Sequence, residues 1–361
     1  MLFRLSFFLF LLVSFAACTG QEAPPPVPPT PEVEDAPVVK KEIPDDFDPY
    51  FTESTGVTKL TGPTSITRNI IEDRNGIIWL ATWEGIIRYD GLTFTNYTNK
   101  DSLRRYHMFS ALEDRDGGLW FGSIGAGLYR YDGKTFTNVT QKNGLAGDKL
   151  GCFTQTRNGD IWVGTMGGIS IYNGSFYRNL TTANGLLDND INSIVEDRSG
   201  RIWIASRGEL CTFDGTSFAA FTKGGGTLFP NFEDKDAERF FNVRTIIEDR
   251  KGNIWLAGQN GLWRYGDDGL TQYDDKFVGY VYEDRAGNIW TSSASNVGDH
   301  WRLSRYDAEN LEDEKAEPTV VLERRDMFFG ILEDRKGGIW LGSLNGVGRY
   351  DGEGFDWFRG M

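Results

Sequence analysis

The side chains best suited to chemistry fall into two sets. Trp83 and Glu84 stand side by side in one short stretch, and His300, Trp301 and Arg302 in another. A flat indole beside a carboxylate, an imidazole or a guanidinium is a combination that stacks on a sugar ring and binds its hydroxyls. The alternative is that these tryptophans only cover loop backbone. The second set is Arg68, His107, Lys149, Asp190 and Arg244, of which Arg68, Lys149 and Arg244 favour an anionic ligand despite a formal net charge of −14. Catalysis asks for more, namely a nucleophile, base or metal within reach of its partners. The chain holds two histidines, no Ser-His-Asp order with a nucleophile elbow, no His-x-x-x-His and no Gly-rich phosphate loop. Asp114 and Asp116 lie in Asp-Arg-Asp-Gly-Gly without the rest of a calcium-loop ligand series. No catalytic residue, metal or cofactor is therefore expected. The acidic balance argues against nucleic acid as a partner.

The elements that must position these residues are repeated. Tryptophan recurs at 79, 120, 162, 203, 255, 290 and 340, each closing a word such as Ile71-Glu72-Asp73-Arg74-Asn75-Gly76-Ile77-Ile78-Trp79. Spacings of 35 to 52 residues bracket one four-stranded unit. Each unit reads as an apolar strand, a turn, a strand with Trp, a second turn, a strand ending near Tyr-Asp-Gly, and an aromatic strand; we letter these A to D. One such unit cannot bury both faces alone, so neighbours must stack and the ring must close. The expected fold is all-β, a seven-bladed β-propeller of four-stranded antiparallel blades over residues 51–361. The repeated Trp then packs between blades. In Glu-Asp-Arg-x-Gly, Asp caps the turn amides and Gly supplies positive φ. Arg74, Arg115, Arg157, Arg198, Arg250, Arg285 and Arg335 recur in all seven units and suit a packing or salt-bridge role. Repeat three departs with Gln155 and Thr156.

Antiparallel order places the A–B and C–D turns on one face and the B–C and D–A connections on the other. The first face is short and uniform, apart from a longer C–D link in repeat six. The second is varied, with D–A loops at 99–107, 141–149, 182–190 and 223–242, and a B–C loop in repeat six expected from Ser295 to Arg302. Variable loops on a rigid ring are where recognition usually lies. On entering strand A the equivalent slots hold Arg68, Phe109, Gly151, Asn192, Arg244, Gly279 and Phe329. Two positions earlier stand Ile66, His107, Lys149, Asp190, Asn242, Phe277 and Met327. Trp263 and Trp357 fall in strands C and D and are expected in the core. An enzymatic alternative, a propeller lyase or glycoside-cleaving enzyme, would use His107 or His300 with Tyr106 and Asp190.

Residues 1–17 read as a secretion signal: Arg4, then an apolar run from Leu5 to Phe15, well short of the ~20 residues of a membrane span. Phe15-Ala16-Ala17-Cys18 is similar to a bacterial lipobox, which makes Cys18 the lipidated residue; the alternative is an ordinary signal with an incidental cysteine. Thr19 after it favours the outer membrane by resemblance to a sorting rule. Residues 18–50 are rich in proline and acid and form a solvated, extended tether. Cys152 and Cys211 could bridge in an oxidising compartment, or serve as small core residues of neighbouring blades. Phe47-Asp48-Pro49-Tyr50-Phe51 reads like the end of a D strand, leaving open whether the N-terminal piece joins the last blade or lies outside the ring.

The repeated word resembles the two-component regulator propeller repeat, over about residues 60–358. The resemblance implies an extracytoplasmic sensory propeller, of the kind found in membrane-bound regulators such as hybrid histidine kinases that detect glycan fragments. No kinase region or phosphoacceptor-like His block follows the repeats here. The expectation is thus recognition of a small ligand or glycan on the variable-loop face, at the lipid-anchored cell envelope. The alternative is a scaffold for an envelope protein.

Overall fold

Every residue of the second strand in six blades is buried, as in Ile78-Trp79-Leu80-Ala81-Thr82. A strand buried on both faces must lie inside a stack of sheets. The computed structural model describes residues 56–175, 177–228, 238–313 and 316–359. They form seven antiparallel sheets in the order A-B-C-D, almost without helix: a seven-bladed β-propeller. The A strands are Thr67–Glu72, Met108–Glu113, Leu150–Gln155, Ile191–Glu196, Val243–Glu248, Val278–Glu283 and Phe328–Glu333, and each lies against the next around the axis. Among the described residues no helix is long and apolar enough to cross a membrane.

The turn word builds each blade and then joins it to the next. Asp73 Oδ1 accepts from the Asn75 and Ile77 amides at 2.9 and 3.0 Å, while Oδ2 accepts from Trp79 Nε1 at 2.9 Å. Gly76, at φ 79°, turns the chain where a side chain would be strained. The same carboxylate–indole bond recurs in five further blades, from Asp114, Asp197, Asp249, Asp284 and Asp334. In blade three Thr156 stands in for Asp, and its hydroxyl bonds the Asp160 carbonyl instead. Each indole packs against the following blade, Trp79 lying 5.7 Å from both Phe121 and Tyr131.

The seven arginines close a ring of their own. Each backbone N–H donates to the carboxylate or amide oxygen ending strand A of the next blade, at 2.6 to 3.2 Å, from Arg74 to Glu113 round to Arg335 and Glu72. Their guanidiniums reach on to turn carbonyls of that blade, as Arg74 Nη2 does to Asp114 and Arg115 at 3.0 Å. In blade three Gln155 takes the place of Glu.

The sequence leaves ring closure open between an N-terminal piece that joins the last blade and one that lies outside the ring. Each blade is a contiguous stretch of chain, and Thr58–Lys59 adds a fifth strand to the outer edge of blade one. Phe47–Phe51 lie outside the described residues. The seam is made by the Gly62 amide donating to the Phe358 carbonyl at 2.6 Å and by the Phe358 ring meeting Phe94 and Tyr89 of blade one at 5.3 and 5.4 Å. Cys152 and Cys211 are unbridged, and burial pushes both thiols up to about 12. The C–D link of blade six is long, as expected, separating Trp301–Tyr306 from Thr319–Arg324. Trp263 and Trp357 lie in strands C and D and pack at the edge of the core.

Candidate functional site

All seven A strands slip register against their B strands at one place. The breaks fall at Thr67/Asn69, Met108/Ser110, Leu150/Cys152, Ile191/Ser193, Val243/Thr245, Val278/Tyr280 and Phe328/Ile331. The residues thrown out of the ladder are Arg68, Phe109, Gly151, Asn192, Arg244, Gly279 and, with Gly330 beside it, Phe329. A β-bulge leaves its extra residue unpaired and re-aims it. Here all seven face one axial cavity of about 410 Å³, within the ~300–1,000 Å³ of small-molecule sites. The bulges sit near the start of strand A, at the variable-loop end of the channel, while Ala111, Thr154, Val195, Ile247 and Tyr282 line the cavity farther along.

The wall of that cavity contains Arg68 and Arg244 and no Asp or Glu. The Arg68 guanidinium is clamped between two rings, its carbon 4.1 Å from the Phe109 centroid and 4.4 Å from Phe329. Among the described residues it takes part in no hydrogen bond or ion pair, and its Nε is buried without an acceptor. Burial, then the Arg244 charge, lowers its pKa to about 9. Arg244 is also lowered, by burial and by Arg207, against the opposing pull of Asp190; among the described residues its Nη1 donates to Asn242 Oδ1 at 3.4 Å. Burial pushes the nearby Tyr280 hydroxyl up to about 12, and that hydroxyl accepts from Asn69 Nδ2 at 3.4 Å. Phe277 and Trp301 complete an aromatic wall, 5.7 Å apart and edge to face.

The candidate residues divide accordingly. Arg68, Arg244 and Trp301 line the cavity, whereas Trp83, Glu84, His107, Lys149, Asp190, His300 and Arg302 do not. Trp83 stacks on His107 of the next blade, 4.8 Å apart and 20° from parallel, so the two tryptophans form no shared patch. Glu84 is buried and structural: its Oε1 accepts from the Thr64 and Ser65 amides at 2.6 and 3.1 Å, fixing the chain as it enters the ring. Trp301 and Arg302 belong to strand C, Trp301–Tyr306, rather than to a loop. Arg302 is committed to Asp274 of blade five at 2.5 Å and to Ser293 at 3.0 Å. His300 Nδ1 contacts the Val297 carbonyl at 2.9 Å. Lys149 is exposed outside the cavity. Asp190 stands 3.9 Å from Arg207, its pKa raised by burial and by Asp188. Tyr106, the other member of the lyase-like set, is buried and also absent from the cavity wall. The inward aim of Tyr280 and Phe153 could not be read from residue type, since only the bulge sets it.

Comparison with known proteins bears on the repeat first. The family model described as two component regulator propeller matches residues 61–84 and 185–208, the heart of blades one and four. Two of the seven blades thus carry the two component regulator propeller repeat. No curated protein matches it in sequence. Among solved structures, the extracellular domain of a hybrid two component system from B. thetaiotaomicron is similar at 20% identity with a TM-score of 0.63. That match covers 80% of this chain and 39% of the other, so the chain spans about two fifths of that protein's length. Virginiamycin B lyase from Staphylococcus aureus, crystallised with quinupristin, matches at 15% identity and TM-score 0.58, over 82% and 97% of the two chains. YCF48 bound to D1 peptide matches at 12% identity and TM-score 0.54, over 80% and 93%. A sensor domain, an enzyme and a peptide binder share this ring, so likeness at this distance establishes the fold alone.

Proposed function

We propose that this chain is an extracytoplasmic recognition propeller, held at the cell envelope through Cys18, which takes a small ligand into the loop-face mouth of its channel. The observation that carries the reading is the convergence of seven bulged residues, one per blade, on a single cavity. The register break recurs in every innermost strand and belongs to the frame, whereas the residue it displays differs from blade to blade. The flat faces of Trp301 and Phe277 suit a sugar ring. Bulged backbone and clamped side chains give a site formed before the ligand arrives, which lowers the entropic cost of binding.

The test is a glycan array probed with the full chain and with Trp301→Ala. The expected result is binding to a small set of glycans, weakened at least tenfold by the substitution. Failure to bind any glycan overturns the sugar form of the proposal. Recovery of one defined envelope protein with no small ligand would favour a scaffold instead. Metabolic labelling with a fatty-acid analogue, lost on Cys18→Ser, checks the anchor.

A further inference from the structure

We infer that the channel mouth recognises an anionic small molecule, through a carboxylate, sulfate or phosphate group held by Arg68 together with Arg244. The inference rests on the reading that the mouth is a ligand site, and it adds the chemical class of what enters.

Three observations carry it. The protein has a formal net charge of −14, yet the cavity wall holds two guanidiniums and no carboxylate. Focused in a concave wall of low dielectric, such a pair attracts anions against the field of the whole protein. Second, Arg68 is oriented but not neutralised. Phe109 and Phe329 cover its two faces at 4.1 and 4.4 Å, which leaves only its donor edge to bind, and no described residue accepts from that edge. A guanidinium edge presents paired N–H groups matching the oxygens of a carboxylate or a tetrahedral oxyanion. Third, the same chain shows what it does with arginines that serve the frame. The guanidinium of each of the seven turn arginines donates to a backbone carbonyl of the next blade. A desolvated charge left unpaired is costly, and a bound anion removes that cost. If Arg68 were only a spacer between two rings, a methionine of similar length would serve better.

The experiment is thermal unfolding and calorimetric titration of the full chain with inorganic sulfate, sodium glucuronate and uncharged glucose, all at constant ionic strength. Wild type, Arg68→Met and the turn-face control Arg74→Met are compared, which removes the general stabilising effect of sulfate. Expected are a rise of about 3 °C at saturating glucuronate or sulfate in wild type and Arg74→Met, and at least tenfold weaker binding in Arg68→Met. Sulfate and glucuronate, ranked against each other, separate a tetrahedral from a planar oxyanion. An anion response equal in wild type and Arg68→Met overturns the inference. Binding of glucose or neutral glycans without anion binding also overturns it, while leaving the mouth as a ligand site. No binding of any kind removes both readings. Should Arg68→Met fail to fold, Arg244→Gln and the salt dependence of glucuronate affinity in wild type decide: no weakening in either is fatal.

Discussion

The arginines of the turn face and those of the channel carry the same charge in opposite circumstances. Arg285, half exposed, donates from its backbone to Glu333 at 2.6 Å and from its guanidinium to Glu333 and the Asp334 carbonyl at 2.9 and 2.7 Å. Arg68 has two phenyl rings against its faces and no acceptor at its edge among the described residues. The contrast teaches where to look in a repeat protein. A residue that recurs in every unit and finds its partner in the next belongs to the frame. A residue that occupies a recurring slot, differs from unit to unit and lacks a partner is available to something from outside.

The comparison can be broken in several ways. The largest effect expected is on binding: Arg68→Met weakens a glucuronate-type anion tenfold or more, while Arg285→Met leaves it unchanged, by calorimetry. On stability the same two substitutions move in opposite directions. Arg285→Met lowers the free energy of unfolding slightly, the exposure of its guanidinium keeping the effect small. Arg68→Met raises it by a similar amount, because an apolar chain replaces an unpaired buried charge. Urea titration reads both, and equal signs would dissolve the contrast.

pH sharpens it further. A base whose pKa is lowered on folding carries its charge, and the strain of that charge, below the folded value. The Arg68 charge is therefore present below about 9 and fades as pH rises through it. Anion affinity should fall across that range. Of the titratable groups facing it, Tyr280 stays protonated there, being pushed up to about 12, and Arg244 is lowered in the same direction. Affinity that is flat from pH 7 to 10.5 would show that Arg68 keeps its proton throughout. The smallest effect expected is a repair of the turn face. Gln155→Glu gives Arg115 the carboxylate its six counterparts have and should add about 0.5 kcal/mol, lost at high salt.

Much of the ring was legible because each unit repeats the reason for its own shape: Asp73 for the turn and the indole, Gly76 for the positive φ, Trp79 for the next blade. The slot holding Arg68, Phe109 and Arg244 was legible too, as a place where the units differ. What alignment could not supply was direction. The bulge that turns these side chains onto the axis recurs in all seven units and leaves no mark in residue type. Glu84 was misplaced for a related reason, since its partners Thr64 and Ser65 matter only once the chain has entered the ring. Trp301 and Arg302 fell within the B–C loop expected from Ser295 to Arg302. The B and C strands of blade six nevertheless each run one residue further, pairing Ala294 with Trp301.

Since every blade is one unbroken stretch of chain, the seam at Gly62 and Phe358 is a joint of much the same kind as the other six. No sheet must be torn to insert, delete or exchange a unit. Each unit brings its own letter to the mouth, so the wall is a seven-letter word spelled Arg, Phe, Gly, Asn, Arg, Gly, Phe. A lineage could respell it by swapping whole units, changing what the channel admits while the ring that displays it stays the same.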